Sequence, residues 1–327
     1  LESIGFELNP YDPCVANKMI GNKQMTLCWH VDDMKISHVD PRAVDDMIDW
    51  LRYKYEEILS DGEGKMTVRH GKVHDYLGMT LDYSTSGEVK VDMSDYIKAM
   101  IDDFRVHDPS DATVLTPAAE HLFRVRDDAE KLSEEKAKIF HTFAARGLFA
   151  TKRSRPDIHT AIAFLTTRVR EPDVDDWKKL QRMMRYLRGT PDLALTLSGD
   201  PDDIVKNIQW WIDGAHTVHN NSRSQTGATA SLGKGCMMST STKQKLNTRS
   251  STETEIVAVD DLMPQVLWTN YFVSAQGYKA KKTVIYQDNK SAILLETNGK
   301  GSSSKRTKHI NVRYYFVKDR ITSGEVV

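Results

Sequence analysis

The chain has 327 residues, 39% of them hydrophobic and 28% charged, with a formal net charge of −1, an ordinary globular composition with length for roughly two to three domains. No run of ~18 apolar residues is present to span a membrane. The three cysteines (Cys14, Cys28, Cys236) are too scattered for a zinc site or a disulfide framework and suit reduced thiols in a reducing compartment.

Residues 1–115 read as α+β. Leu1 stands where an initiator methionine would, and residues 1–10 have neither signal nor transit character, so a piece of something longer is expected. Strands are predicted near Met25–Val31 and Lys35–Val39. Between them Asp32 and Asp33 sit on a strand end or a tight strand–turn–strand. Adjacent carboxylates repel unless a cation or a hydrogen-bond donor neutralises them; a divalent metal is one such partner, and a solvated hairpin turn is the simpler reading. A helix follows from Pro41 to about Ile58, with Val44, Met47, Ile48, Leu51 and Tyr55 on one face. Strands near Lys65–Arg69, Val73–Asp82 and Val89–Asp92 come next, then a helix from Tyr96 to Phe104 capped by Ser94 or Asp95.

Residues 106–130, polar and holding Pro109 and Pro117, suit a linker, and helices dominate 133–189. Asp157 opens one with Ile158, Ala161, Ile162 and Leu165 on a face. The next has Trp177, Leu180, Met184 and Leu187 on one stripe and Lys178, Lys179, Arg182, Arg185 and Arg188 on the other. Such a basic ridge can track a phosphate backbone or simply face water. Charge along the whole chain points the same way: residues 1–145 carry 17 Lys and Arg against 28 Asp and Glu, residues 146–327 carry 28 against 18. The basic half suits a polyanionic partner, and an intramolecular match between the halves explains it equally well.

The polar segment Gly189–Asp203 marks a second boundary. Beyond it the order is strand Asn207–Asp213, strands near Thr226–Leu232 and Cys236–Thr240, and helix Thr252–Leu262, interrupted at Pro264 before a second helix to about Ala275. Strand Thr283–Gln287, helix Lys290–Leu295 and a basic helix from about Lys308 to Ile321 complete an α/β unit with a mixed sheet. Asp213, Glu255 and Asp288 stand at element ends, where acids from neighbouring strands and a crossing helix converge on one point. Such a cluster holds two divalent cations that activate water and stabilise a leaving phosphodiester oxygen. Each has a simpler role open to it: Asp213-Gly214 as a turn, Thr252 and Glu255 as a capping box, Asp288 as an N-cap.

Motifs in order through the chain carry a resemblance. Gly5-Phe6, Asp12-Pro13 and His30-Val31-Asp32-Asp33 come first, then Tyr76-Leu77-Gly78-Met79, Arg155-Pro156-Asp157-Ile158 and Arg185-Tyr186-Leu187-Arg188-Gly189-Thr190. Arg223-Ser224-Gln225-Thr226-Gly227, Ser250-Ser251-Thr252-Glu253-Thr254-Glu255, Asp288-Asn289-Lys290-Ser291-Ala292 and Arg306-Thr307-Lys308-His309-Ile310 follow. Together they resemble the reverse transcriptase–ribonuclease H region of copia-type retrotransposon polyproteins. The resemblance implies a distal palm (1–115), a helical thumb or connection (116–203) and a ribonuclease H-like domain (204–327). It implies Mg²⁺ or Mn²⁺ at Asp32 and Asp33 for DNA synthesis, and at Asp213, Glu255 and Asp288 for hydrolysis of RNA in a hybrid. Glu255 is preferred over Glu253 because Glu255-Ile256-Val257-Ala258 fits the family's E-x-x-A pattern. The partners implied are an RNA template, a DNA primer, the RNA–DNA hybrid and the rest of a polyprotein, including fingers, upstream palm and integrase. The expected locations are a cytoplasmic virus-like particle and the nucleus.

The chain departs from the family pattern at three points. His30 replaces a usual tyrosine, and none of Glu2, Glu7 and Asp12 matches the family's third polymerase aspartate. A fourth ribonuclease H acid is expected past Val327, and Asn311 does not replace it. Polymerase activity is therefore not expected of this stretch alone. A decayed or repurposed nucleic-acid-binding module is the alternative, and a nuclease or transferase acting on another substrate is a third.

Overall fold

The computed structural model describes residues 1–56, 65–199, 207–299 and 311–327. They form a mixed α+β structure with three four-stranded sheets and, among the described residues, eight α-helices.

The first sheet is an antiparallel meander of β1 (Glu7–Asn9), β2 (Asp12–Ile20), β3 (Lys23–His30) and β4 (Asp33–Ser37). Helix α1 (Pro41–Tyr55) packs on it through Ala43, Met47 and Leu51 against Phe6, Ala16, Met25 and Leu27. Asp40 caps α1, its side chain accepting from the Arg42 N–H, and the expected extension to Ile58 lies outside the described residues. β1 and β2 are not evident in the sequence because Pro13 and Asn17 interrupt any alternation; Pro13 is tolerated near a bulge at Leu8/Asn9.

The second sheet orders β5 (Val73–Tyr76), β6 (Met79–Asp82), β7 (Glu88–Asp92) and β8 (Leu195–Ser198). Three expectations are corrected here. Lys65–Arg69 forms no strand, since no neighbour pairs with it. Val73–Asp82 is two strands, turned at Leu77 (φ 51°) and Gly78 (φ 76°), the positive-φ pair of a tight hairpin. The expected boundary segment Gly189–Asp203 supplies β8, which pairs with β7.

Helices α2 (Ser94–Phe104), α3 (Glu134–Thr151), α4 (His159–Arg168) and α5 (Val174–Gly189) share one core: Phe104, Phe140, Phe143, Ile162, Leu165, Trp177, Leu180 and Met184 are all buried in it. Gly147 lets α3 and α4 close up, since a Cβ there would lie 2.3 Å from Ile162 Cδ1. Neither expected residue caps α2: Met93 holds the cap position without a side-chain bond, and Asp92 accepts from the Ser94 N–H. Asp157 belongs to a short 3₁₀ turn, Pro156–Ile158, that leads into α4. The segment 106–130 is irregular, as expected, yet no free linker: Leu122 is buried in this core, and Ala118, Phe123 and Val125 pack against it.

The third sheet orders β11 (Met238–Lys243), β10 (Gln225–Ser231), β9 (Asn207–Ala215) and β12 (Lys282–Tyr286), with β12 parallel to β9 and the rest antiparallel. Helix α6 (Ser251–Ala275) covers one face through Ala258, Val259, Leu262, Met263 and Val266. It runs unbroken through Pro264, contrary to the expected interruption. An internal proline costs ~3 kcal/mol, which burial of Met263, Val266 and Val273 around it offsets at ~1.5–3 kcal/mol each. Helices α7 (Lys290–Asn298) and α8 (Asn311–Thr322) pack beside α6. The expected start of the last helix at Lys308, and the Arg306–Ile310 motif, lie outside the described residues.

Candidate metal centre

Three acids converge at one end of the third sheet. Along β9 the alternate residues Ile208, Trp210 and Ile212 are buried under α6, which puts Asp213 on the opposite, exposed side of the strand. β9 continues to Ala215, with Asp213 opposite Gly227 and Gly214 opposite Thr226, so Asp213 belongs to the ladder and not to a turn. Gly214 is what brings the strand close to α6: a Cβ there would meet Thr254 Cγ2 at 2.7 Å and its carbonyl oxygen at 3.0 Å.

Helix α6 is capped by Ser250, whose Oγ accepts from the Glu253 N–H at 3.2 Å, while Glu253 Oε2 accepts from the Arg249 N–H at 2.8 Å. The expected cap at Thr252 is therefore displaced by two residues. Capping occupies Glu253 and leaves Glu255, one residue past Thr254, to face β9. At the far strand, Asn289 caps α7 by accepting from Ser291 and Ala292 at 3.0 and 3.1 Å, so Asp288 is not the N-cap. Parallel pairing of Tyr286 with Trp211 sets the ends of β12 and β9 side by side. Each simpler role open to the three acids is taken by a neighbouring residue or by the ladder.

One carboxylate oxygen from each of Asp213, Glu255 and Asp288 lies within 4.8 Å of the others. Asp213 and Asp288 are exposed and Glu255 is buried. Burial, with the charges of Asp213 and Asp288, pushes the Glu255 carboxyl up to about 7, although Gln287 Nε2 donates to its Oε2 at 3.1 Å. Three carboxylate oxygens crowded together offer the donor type that a hard divalent ion takes. Among the described residues this is the one group of three or more potential ligands that meets in this way.

Asp32 and Asp33 are arranged differently. His30 pairs with Asp33, leaving Val31-Asp32 as a two-residue turn with Val31 at φ 55° and 86% exposed. A β-branched residue in the left-handed region is strained by ~1–3 kcal/mol. Both aspartates are exposed, and no third acid joins them among the described residues. They line a cleft of about 1560 Å³ with Trp29, Lys35, Tyr76, Leu77 and Gly78, so two separate sequence motifs meet there. Tyr76 donates to Cys28 Sγ at 4.0 Å, and burial, with Cys28 and Asp33 nearby, raises its hydroxyl pKa.

The basic face of α5 is neither a free ridge nor a solvated one. Arg185 binds Asp108 through two bonds of 2.9 Å, and Arg188 donates to the carbonyls of Ser110, Ala112 and Asp108. Arg182 donates to Thr116 Oγ1 at 2.9 Å and Lys179 to the Arg124 carbonyl at 2.7 Å. Only Lys178 stands out, 72% exposed beside Asp175. These cations fasten segment 106–126 to the helix, and of the five expected to contact nucleic acid Lys178 is the most exposed. The two helical motifs are likewise bolted together: the fully buried Arg155 binds Asp157 and the Thr190 carbonyl and hydroxyl, and Tyr186 donates to Asp157.

Two residues of the centre escaped the sequence reading. Gln287 has no signal except adjacency to Asp288. Glu296, four residues after Ala292 on the buried face of α7, is an acid on an apolar stripe, and that could have marked it. Burial, with Glu255 and Asp260 nearby, pushes its carboxyl up to about 8, and its Oε1 has no hydrogen-bond partner among the described residues.

Comparison with known proteins finds relatives among retrotransposon polyproteins. The chain is 29% identical over 95% of its length to the retrovirus-related Pol polyprotein from transposon TNT 1-94 of Nicotiana tabacum, covering 22% of that protein. It is 26% identical over 99% of its length to the corresponding polyprotein from transposon RE1 of Arabidopsis thaliana, covering 21%. To that from transposon RE2 of the same plant it is 32% identical over 52% of its length, covering 12%. The chain is thus similar to retrotransposon Pol polyproteins and spans about a fifth or less of the relatives it matches. No family model matches, and no solved structure matches.

Proposed function

We propose that the third sheet and its helices form a ribonuclease H-like nuclease unit of a retrotransposon polyprotein. In this reading it cleaves the RNA strand of an RNA–DNA hybrid at Asp213, Glu255 and Asp288. The observation that carries the reading is the meeting of three carboxylates, from two strand ends and one helix, each without a competing local role. Mg²⁺ or Mn²⁺, when bound, would supply activation of water and charge neutralisation at the phosphodiester. Asp213 and Asp288 would offer exposed oxygens to such ions. Glu255, steadied by Gln287, offers a buried one that must lose its proton before it can act as a ligand. Gly214 keeps β9 against α6 so that these oxygens stay in register.

The first sheet and its cleft fit the distal palm of a reverse transcriptase, with Asp32 and Asp33 as two of its metal-binding acids. Its activity would require a third carboxylate that the described residues do not bring to the pair. Polymerase chemistry is accordingly assigned to a longer chain carrying this segment. The experiment is cleavage of a labelled RNA–DNA hybrid with Mn²⁺. Asp288→Asn should abolish cleavage and leave hybrid binding intact, whereas normal cleavage by that variant would refute the assignment. Binding without any metal-dependent cleavage by the native chain would favour a module that has lost its chemistry.

A further inference from the structure

While the cations of α5 are tied to the chain itself, a second basic cluster stays open. Arg223 leads into β10, Lys243 ends β11, and Lys245 follows it. The ladder Ala215–Gln225–Lys243 lies one same-face step beyond Asp213–Gly227–Ser241. Directly opposed residues share a face and alternate residues repeat it, so Lys243 and Asp213 project from the same side of the sheet. Two strand spacings and two residues of rise separate their Cα atoms by roughly 12 Å. Helix α4 covers this face at Ser239, through His159 Nδ1 at 2.6 Å, and Gln225 and Ser241 are buried on it beside His219, but Lys243 and Lys245 are exposed at the end of the sheet.

Arg223 Nη1 donates to the Gln244 carbonyl at 3.4 Å, which holds the guanidinium at the link between Lys243 and Lys245. Among the described residues none of these three cations has a carboxylate within ion-pair distance. Partial burial of its stem, with the Arg223 charge nearby, depresses the Lys243 pKa. Like charges held together without an acid leave a local positive potential that an anion would relieve.

We infer that Arg223, Lys243 and Lys245 bind the phosphate backbone of the nucleic-acid strand that crosses the Asp213–Glu255–Asp288 centre. The inference rests on the nuclease reading and adds a path to it. The strand would follow the end of the third sheet where β9 and β11 finish and β10 begins, not α5, with contacts roughly three to four nucleotides from the acids at ~3.4 Å of rise each. Contacts of this kind position the backbone and carry no sequence preference.

The test is fluorescence anisotropy of a labelled RNA–DNA hybrid in Ca²⁺ without Mg²⁺, across 50–300 mM KCl. Arg223→Gln/Lys243→Gln should weaken binding about 10- to 100-fold at low salt and reduce the log–log salt slope by ~2. The single exposed variant Lys243→Gln should reduce it by ~1 and melt like the native protein, and Lys178→Gln on α5 should bind normally. Unchanged affinity and slope in the double variant would overturn the inference. The two readings fail separately: normal cleavage by Asp288→Asn removes the nuclease assignment, whereas loss of cleavage there with normal binding by the double variant removes only this path.

Discussion

The buried carboxyl of Glu255 offers a quantitative handle on the centre. Its pKa is pushed up from 4.5 to about 7 by burial and by Asp213 and Asp288. In metal-free protein the folded state therefore holds its proton more tightly than the unfolded chain does. The stabilising contribution is fully present below pH 4.5 and is lost as pH rises through 7, amounting to about 3 kcal/mol at 1.36 kcal/mol per pH unit. Glu255→Gln keeps an acceptor oxygen for Gln287 and cannot ionise. Urea unfolding in EDTA at pH 4.5 and pH 8 should show the variant gaining about 2–3 kcal/mol relative to the native chain across that interval. Millimolar Mn²⁺ should reverse the sign at pH 8, because the ion binds the deprotonated native site and not the variant. A difference between the two proteins that stays constant from pH 4.5 to 8, with and without Mn²⁺, would refute the electrostatic reasoning.

Three further outcomes follow from the same geometry. Asp108→Ala strands Arg185 and Arg188 against α5, and removing one partner of a buried ion pair should cost ~3–5 kcal/mol in urea unfolding. Ser250→Ala should lower stability by ~1 kcal/mol, with Thr252→Ala within a few tenths of native, because Ser250 is the cap of α6. Glu296, its carboxyl at about 8, should make the native chain lose stability as pH rises from 4.5 through 8. Glu296→Gln should accordingly be more stable than native at pH 9, by thermal melting, and should show a smaller gain at pH 4.5.

The three acids of the centre stand out in the sequence because chemistry and position coincide. Asp213 and Asp288 stand at the ends of apolar strands, and Glu255 lies in the first turns of a long apolar helix. What was not legible was which neighbour takes the local role. Ser250-Ser251-Thr252 offers three hydroxyls for one cap, and only the packing of α6 selects Ser250. The α5 cations were equally plain in sequence. Their partner Asp108 lies 77 residues from Arg185, beyond the reach of any helical periodicity. Likewise Pro264 reads locally as a break, while burial on both sides keeps the helix whole, and β8 is too short and polar to register until β7 is there to pair with it.

The Asp32–Asp33 pair separates motif from site. Its hairpin forms where the flanking strands require it, and the strained Val31 and the cleft shared with Tyr76 give it a defined shape. Metal affinity depends on how many oxygens converge, and three do so only at Asp213, Glu255 and Asp288 among the described residues.

The most direct test is a Mn²⁺ titration followed by electron paramagnetic resonance at pH 8. The native chain should bind Mn²⁺, Asp213→Asn/Asp288→Asn should lose that binding, and Asp32→Asn/Asp33→Asn should retain it. Equal Mn²⁺ binding by native protein and the Asp213→Asn/Asp288→Asn variant would contradict the three-carboxylate centre.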